Sequence, residues 1–258
     1  MNPDIQQGKL ILNNLLINYY YNEAQNPLKT LIFLHGWRSN STLWFKIFPE
    51  LLQNYQIYAV DLPGFGQSQV PTTPFTLQDY VDVATSFIQK LSLKKPILIG
   101  HSHGGRVGIK LSAAQPELLE KLVLVDSAGI KNDSTDVKLK KGVAKLVKPI
   151  FKLPFMKPVR EKIYQKMGAE DYVATPEMTQ TFLNVVNEDL SSLLSQIKIE
   201  TLIIWGENDI DTPISFAHTM NEQIPHSKLA IIKDAAHYSF LDQPEEFLKP
   251  LKNFIQER

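Results

Sequence analysis

Two apolar-rich runs, Lys9–Leu12 and Leu15–Tyr21, flank Asn13-Asn14 near the start of the chain. Asparagine tolerates positive φ, so this pair reads as the tight turn of a β-hairpin. Downstream the pattern changes. Thr30–Leu34, Tyr55–Val60, Pro96–Ile99 and Leu122–Val125 are short runs with few polar breaks. Lacking regular polar alternation, they predict strands buried on both faces. Between them, Ser41–Gln53, Thr76–Leu91 and the stretch from Gly104 to Ala114 carry helical spacing, with Thr76 placed as an N-cap. Strand and helix in alternation predict a mostly parallel sheet with helices on both faces.

The alternation stops after Leu122–Val125. Residues 130–199 are mostly helical in pattern and are interrupted by Pro149, Pro154, Pro158 and Pro176. It resumes with a buried run at Thr201–Trp205, a helix near Ile214–Gln223, a strand at Lys228–Ile232 and a terminal helix from Pro244. The expected organisation is therefore an α/β core, 1–129 plus 200–258, with a helical cap inserted at 130–199. An insertion at that point lies at the carboxyl ends of the strands, where open α/β sheets bind ligands.

Composition narrows the chemistry. Lys+Arg and Asp+Glu are 27 each in 258 residues, so no global basic excess is available for a nucleic-acid backbone. The absence of cysteine excludes disulfides, thiolate zinc sites and thiol nucleophiles. No run approaches the ~18–20 apolar residues of a transmembrane segment. The opening MNPDIQQGKL lacks the basic start and apolar run of a signal peptide, so the expected location is cytoplasmic. Gly64-Phe-Gly66 is not a dinucleotide fingerprint, and no phosphate-binding GK[ST] follows a strand.

The chemical centre is Gly100-His101-Ser102-His103-Gly104, a G-x-S-x-G that follows a predicted strand and opens a predicted helix. A sharp strand-to-helix turn thrusts the serine into open space, and only small residues fit two places to either side. The helix N-terminus beneath Ser102 favours developing negative charge. A serine hydroxyl needs a base, and the base needs an acid to orient it. Of the six histidines, His237 is the best placed base, just past the last predicted strand in Asp234-Ala-Ala-His237. Asp126, Asp209 and Asp211 all lie at strand ends and all fit the chain order Ser…Asp…His.

Five separated motifs, in order, resemble those of the α/β-hydrolases with a helical cap. They are His35-Gly36-Trp37, Asp61-Leu-Pro-Gly64-Phe-Gly66-Gln-Ser68, Gly100–Gly105, the Gly206…Asp209…Pro213 turn and Asp234–His237. The resemblance covers nearly the whole chain and implies an α/β-hydrolase fold. It implies Asp209 as the orienting acid, with Asp126 in reserve because some members carry the acid there. It places the main-chain N–H groups of His103 and Trp37 in an oxyanion hole, with the Trp37 ring on the acyl side. Neither metal nor cofactor is called for. Ser102 sets the chain apart from the dehalogenase and epoxide-hydrolase branches, which use aspartate.

The activity expected is hydrolysis of carboxylic esters with small to medium acyl chains, lactones included, through an acyl-enzyme. Carbon–carbon bond hydrolysis and a slow-turnover binding or signalling role on the same fold are alternatives. So is action on an acyl-carrier-linked methyl ester, since HGW with DLPGFG also resembles the biotin-pathway esterases. Lys131–Glu170 holds eleven Lys/Arg against four Asp/Glu. That excess fits either a solvated cap helix or a surface for an acidic carrier protein or an anionic lipid.

Overall fold

The computed structural model describes residues 4–131 and 176–257. Eight strands form one sheet in the order β1-β2-β4-β3-β5-β6-β7-β8. They are β1 Gln6–Leu12, β2 Leu15–Tyr21, β3 Lys29–Leu34, β4 Tyr55–Val60, β5 Ile97–His101, β6 Leu122–Val125, β7 Thr201–Gly206 and β8 Ser227–Ile232. The first two form the antiparallel hairpin, with Asn13 and Asn14 both at positive φ as its turn requires. β2 meets β4 antiparallel, and every later pairing is parallel.

The central runs are continuously apolar because alternate residues serve two cores. Ile32, Leu34, Leu98, Leu122, Leu124, Ile203 and Trp205 face one layer. Leu31, Phe33, Ile97, Ile99, Val123, Val125, Leu202 and Ile204 face the other. The first layer includes helices α1 (Leu77–Lys90) and α2 (His103–Ala114). Thr76 caps α1 through a reciprocal capping box with Asp79. Ser41–Gln53 departs from expectation. It forms two 3₁₀ turns, Ser41–Lys46 and Phe48–Glu50, rather than one α-helix. Pro49 has no N–H to continue an α-helical ladder, and its ring would crowd the carbonyl four residues back.

The expected division into a core and a cap at 130–199 is described only at its ends. All but Lys131 of the basic Lys131–Glu170 stretch lies outside the described residues. The returning segment, with α3 (Thr179–Asn187) and α4 (Ser191–Leu194), is bonded to the sheet's helical layer. Arg106 on α2 donates to the Val185 and Glu188 carbonyls at 3.2 and 2.8 Å. Lys110 pairs with Glu188, and Phe75 N–H donates to the Thr181 hydroxyl. Beyond it, α5 (Ile214–Gln223), the short α6 (Ser239–Asp242) and α7 (Pro244–Gln256) complete the layers. No helix among the described residues is long and apolar enough to cross a membrane.

Strand order reverses at β3, whose neighbours are β4 and β5. Leu34 at the end of β3 pairs with Gly100 in β5. The turn after each strand therefore opens at the same crevice, the topological position for a ligand site in such sheets.

Candidate active site

Ser102 joins β5 to α2 with φ 50° and ψ −107°. A non-glycine residue held there costs about 1–3 kcal/mol unless its surroundings enforce it. Here they do. A Cβ on Gly100 would fall 2.4 Å from the Gly104 carbonyl oxygen, and one on Gly104 would fall 2.4 Å from that of Leu34. Strand, helix and the neighbouring strand thus approach backbone to backbone. Ser102 N–H donates to the Val125 carbonyl and Ala128 N–H to the Ser102 carbonyl, so the end of β6 grips the turn from the side.

The His35-Gly36-Trp37 turn lies against this elbow. Leu62 N–H donates to His35 Nε2 at 2.9 Å, which leaves His35 Nδ1–H to donate to the Gly36 carbonyl at 2.7 Å. Burial, partly offset by that bond and by Asp61, lowers the His35 pKa and keeps the ring in this neutral tautomer. The position of a Cβ on Gly36 is 3.2 Å from Ser102 Cβ. The Asp61–Ser68 loop is knotted by the buried Asp61 carboxylate, which accepts from Asn18, Ser41 and Gln67. That loop delivers Phe65 to Trp37, with ring centroids 4.8 Å apart. Phe182 and His103 complete the surroundings of the indole at 5.2 and 5.4 Å. His103 is buried, its ring nitrogens without partners among the described residues. Burial, reinforced by the Arg106 charge, holds its pKa well below the ordinary value.

His237 Nδ1 lies 2.8 Å from Asp209 Oδ2. Thr212 Oγ1 donates to the same oxygen at 2.6 Å, and the Asp211 and Thr212 N–H groups donate to Oδ1 at 2.9 Å each. Burial opposes charge on both members, but their mutual bond and attraction outweigh it: Asp209 falls below the ordinary carboxylate pKa and His237 rises above the ordinary imidazole value. Asp126 and Asp211 add to the rise at His237. His101, next to Ser102, donates from Nε2 to the His237 carbonyl at 2.7 Å. Burial and the nearby His237 push His101 down to about 3, so it remains a neutral donor.

Of the three acids left open by the spacing, Asp209 alone bonds to His237. Asp126 instead accepts from Gly206 and Ser239, and burial pushes its pKa up to about 7 against the pull of those bonds. Donor atoms of Asp209, Asp211 and His237 lie within 4.8 Å of one another, a spacing that suits a cation. Both Asp209 oxygens already take two donors each, which leaves a metal little lone-pair density there.

The model of the alpha/beta hydrolase family matches residues 31–249. The chain belongs to this family. An uncharacterized hydrolase of Bacillus subtilis strain 168, YugF, is 28% identical over 93% of this chain and 95% of its own. A pimeloyl-[acyl-carrier protein] methyl ester esterase of Wigglesworthia glossinidia brevipalpis is 29% identical over 88% of this chain and 93% of its own. Among solved structures, an esterase from Exiguobacterium antarcticum superposes with a TM-score of 0.75 at 23% identity, covering 96% of this chain and 99% of that one.

Three residues of this alpha/beta hydrolase have roles that the sequence reading did not assign. Thr212 bonds Asp209, and its hydroxyl also reaches the Asp126 carbonyl at 3.1 Å. Its signal was present: an aspartate followed by bondable N–H groups two and three residues on is an Asx turn. His101 stands next to the serine in the motif, and its bond to the His237 carbonyl appears only in the fold. Asp126 was read as a spare acid, and nothing in the local sequence announces its partners 80 and 113 residues away.

Proposed function

We propose that this alpha/beta hydrolase is a serine esterase that cleaves carboxylic esters through an acyl–Ser102 intermediate. The observation that carries the reading is the partly buried Asp209–His237 hydrogen bond, held by the His101 contact beside a serine in strained elbow geometry. His237 carries its proton on Nδ1, toward Asp209, and so presents Nε2 as the base. Ser102 Oγ attacks the ester carbonyl as its proton passes to Nε2. The carbonyl oxygen becomes an oxyanion between the N–H groups of His103, at the start of α2, and Trp37. The C–O bond to the alcohol then breaks, and His237 returns the proton to the leaving oxygen. Water, deprotonated by His237, repeats the sequence on the acyl–serine and releases the acid.

Trp37, Phe65 and Phe182 give the acyl side an aromatic wall, which suits small to medium apolar acyl groups, lactones included. The Ser102→Ala variant tests the reading. Its turnover of nitrophenyl esters should fall on the order of 10⁶-fold. A fluorophosphonate should label wild type alone. Equal labelling of both would end the assignment.

A second reading, an acyl-carrier-linked methyl ester as substrate, draws on the Wigglesworthia relative and on the basic Lys131–Glu170 stretch. It requires a higher kcat/KM for a carrier-linked methyl ester than for the free methyl ester of the same acyl chain. Equal values would remove it.

A further inference from the structure

Asp126 is a buried carboxylate at the site that the proposed mechanism does not use. It follows Val125, the last residue of β6, and holds φ 44°, a left-handed backbone that a non-glycine residue adopts only under constraint. Its side chain is buried and divides its oxygens between two loops. Oδ1 accepts the Gly206 N–H at 2.7 Å. Oδ2 accepts both the N–H and the hydroxyl of Ser239, at 3.1 and 2.6 Å. Its carbonyl shares, at 3.1 Å, the Thr212 hydroxyl proton that Asp209 Oδ2 takes at 2.6 Å.

These partners share one feature. Gly206 ends β7 and opens the turn that carries Asp209. Thr212 closes that turn and bonds Asp209 itself. Ser239 lies two residues beyond His237. On the other side, Val125 and Ala128 make the two backbone bonds that grip Ser102. Asp126 thus sits where the serine elbow, the acid turn and the histidine loop meet, and it hydrogen-bonds to neither Asp209 nor His237 directly.

We propose that Asp126 is a positioning residue: its carboxylate and carbonyl fasten the acid turn and the histidine loop to the end of β6, and so fix the approach of His237 to Ser102. The inference rests on the serine-esterase reading. A carboxylate suits the task because both of its oxygens accept. An amide offers one accepting oxygen and two donors, so one loop would meet a donor with a donor. The charge has a consequence as well. His237 is faced by the carboxyl groups of Asp209, Asp126 and Asp211, which favour its protonated form, and by His101, which stays neutral.

The test compares wild type, Asp126→Asn, Ser239→Ala and the double variant on a small neutral nitrophenyl ester. Four quantities are read: kcat, KM, the pH profile of kcat/KM and the second-order rate of fluorophosphonate labelling. Thermal melts run alongside. Asp126→Asn should lower kcat and the labelling rate by about 10- to 100-fold, the scale of a misplacement near 1 Å, with KM little changed. Its acid limb should move only slightly to lower pH, because Asp126, pushed up to about 7, keeps only part of its negative charge where His237 titrates. Ser239→Ala, which deletes only one of the three side-chain bonds, should lower kcat less and in the same way. The double variant should be no slower than Asp126→Asn alone, since both changes release the same loop. If Asp126→Asn does not fold, the Ser239→Ala result decides. Folded variants with wild-type kcat and labelling rate would overturn the proposal, whatever their melting temperatures. A wild type that neither turns over esters nor takes the probe would overturn the esterase reading, and this inference with it.

Discussion

Replacing Asp209 by asparagine separates orientation from stability. The carboxylate takes four donors at 2.6–2.9 Å: two backbone N–H groups on Oδ1, and the Thr212 hydroxyl and His237 Nδ1 on Oδ2. An amide can meet them in two ways. With its nitrogen toward Oδ1's partners, it strands two N–H groups, at about 1–3 kcal/mol each. With its nitrogen toward His237 and Thr212, the backbone bonds survive. The threonine hydroxyl can then accept, and His237 must accept at Nδ1. The second arrangement costs less and prevails. It moves the imidazole proton to Nε2, where it blocks the transfer from Ser102. The wrong tautomer is worth about 10⁴ in kcat in a serine protease, or about 5.5 kcal/mol of barrier. Asp209→Asn should therefore lose about 10⁴ in kcat/KM on a nitrophenyl ester. Its melting temperature should stay within about 4 °C of wild type, the shift roughly 1 kcal/mol produces at this size. Asp126→Asn should lose far less activity. A loss under tenfold at Asp209, with a larger one at Asp126, would move the orienting acid from β7 to β6 and refute the argument.

Activity should fall on the acid side as His237 protonates. Its pKa is raised above the ordinary 6.5, so the neutral base disappears at a higher pH than an unperturbed imidazole would allow. The acid limb of kcat/KM should be centred above 6.5, and a midpoint below that value would contradict the Asp209 pairing. Gly100→Ala drives a Cβ to 2.4 Å from a backbone oxygen that cannot swing away. It should cost about 1–3 kcal/mol in denaturant unfolding, or more, and an unchanged midpoint would show that the elbow is looser than described. Reversing Lys138, Lys140, Lys141, Lys145 and Lys148 to glutamate should spare small neutral esters. If the stretch docks an acidic partner, kcat/KM for a carrier-linked or vesicle-borne substrate should drop, and the wild-type advantage should shrink with salt. An equal, small response from all substrates would leave only a solvated face.

What the sequence made legible follows from how local each constraint is. The buried strands announced themselves because each supplies both cores, and so leaves few polar positions in Leu122–Val125 or Thr201–Trp205. The hairpin turn and the Thr76 cap were readable from residues no more than three apart. The helical pattern over Ser41–Gln53 is met by two 3₁₀ turns because its apolar spacing, set by Trp44 and Phe48 packing on Phe33, coexists with Pro49. Spacing reports which side chains are buried, and proline decides which ladder can carry them.

The acids show where legibility ends. Asp126, Asp209 and Asp211 each follow a strand, and chain order admits all three. What distinguishes them is a contact that exists only once β6, β7 and β8 lie side by side. Asp209 folds back over its own turn and accepts from Asp211 and Thr212, which aims one oxygen outward at His237. Asp126 has no such turn. Its carboxylate lies at the carboxyl end of the sheet, where it accepts from Gly206 and Ser239 instead. Asp211 remains exposed, its N–H spent on Asp209. Apart from His237, Asp209 and Asp126 each take three donors, so direction separates them: only Asp209 turns its remaining lone pair on His237, and that alignment exists only once the ends of β7 and β8 lie side by side.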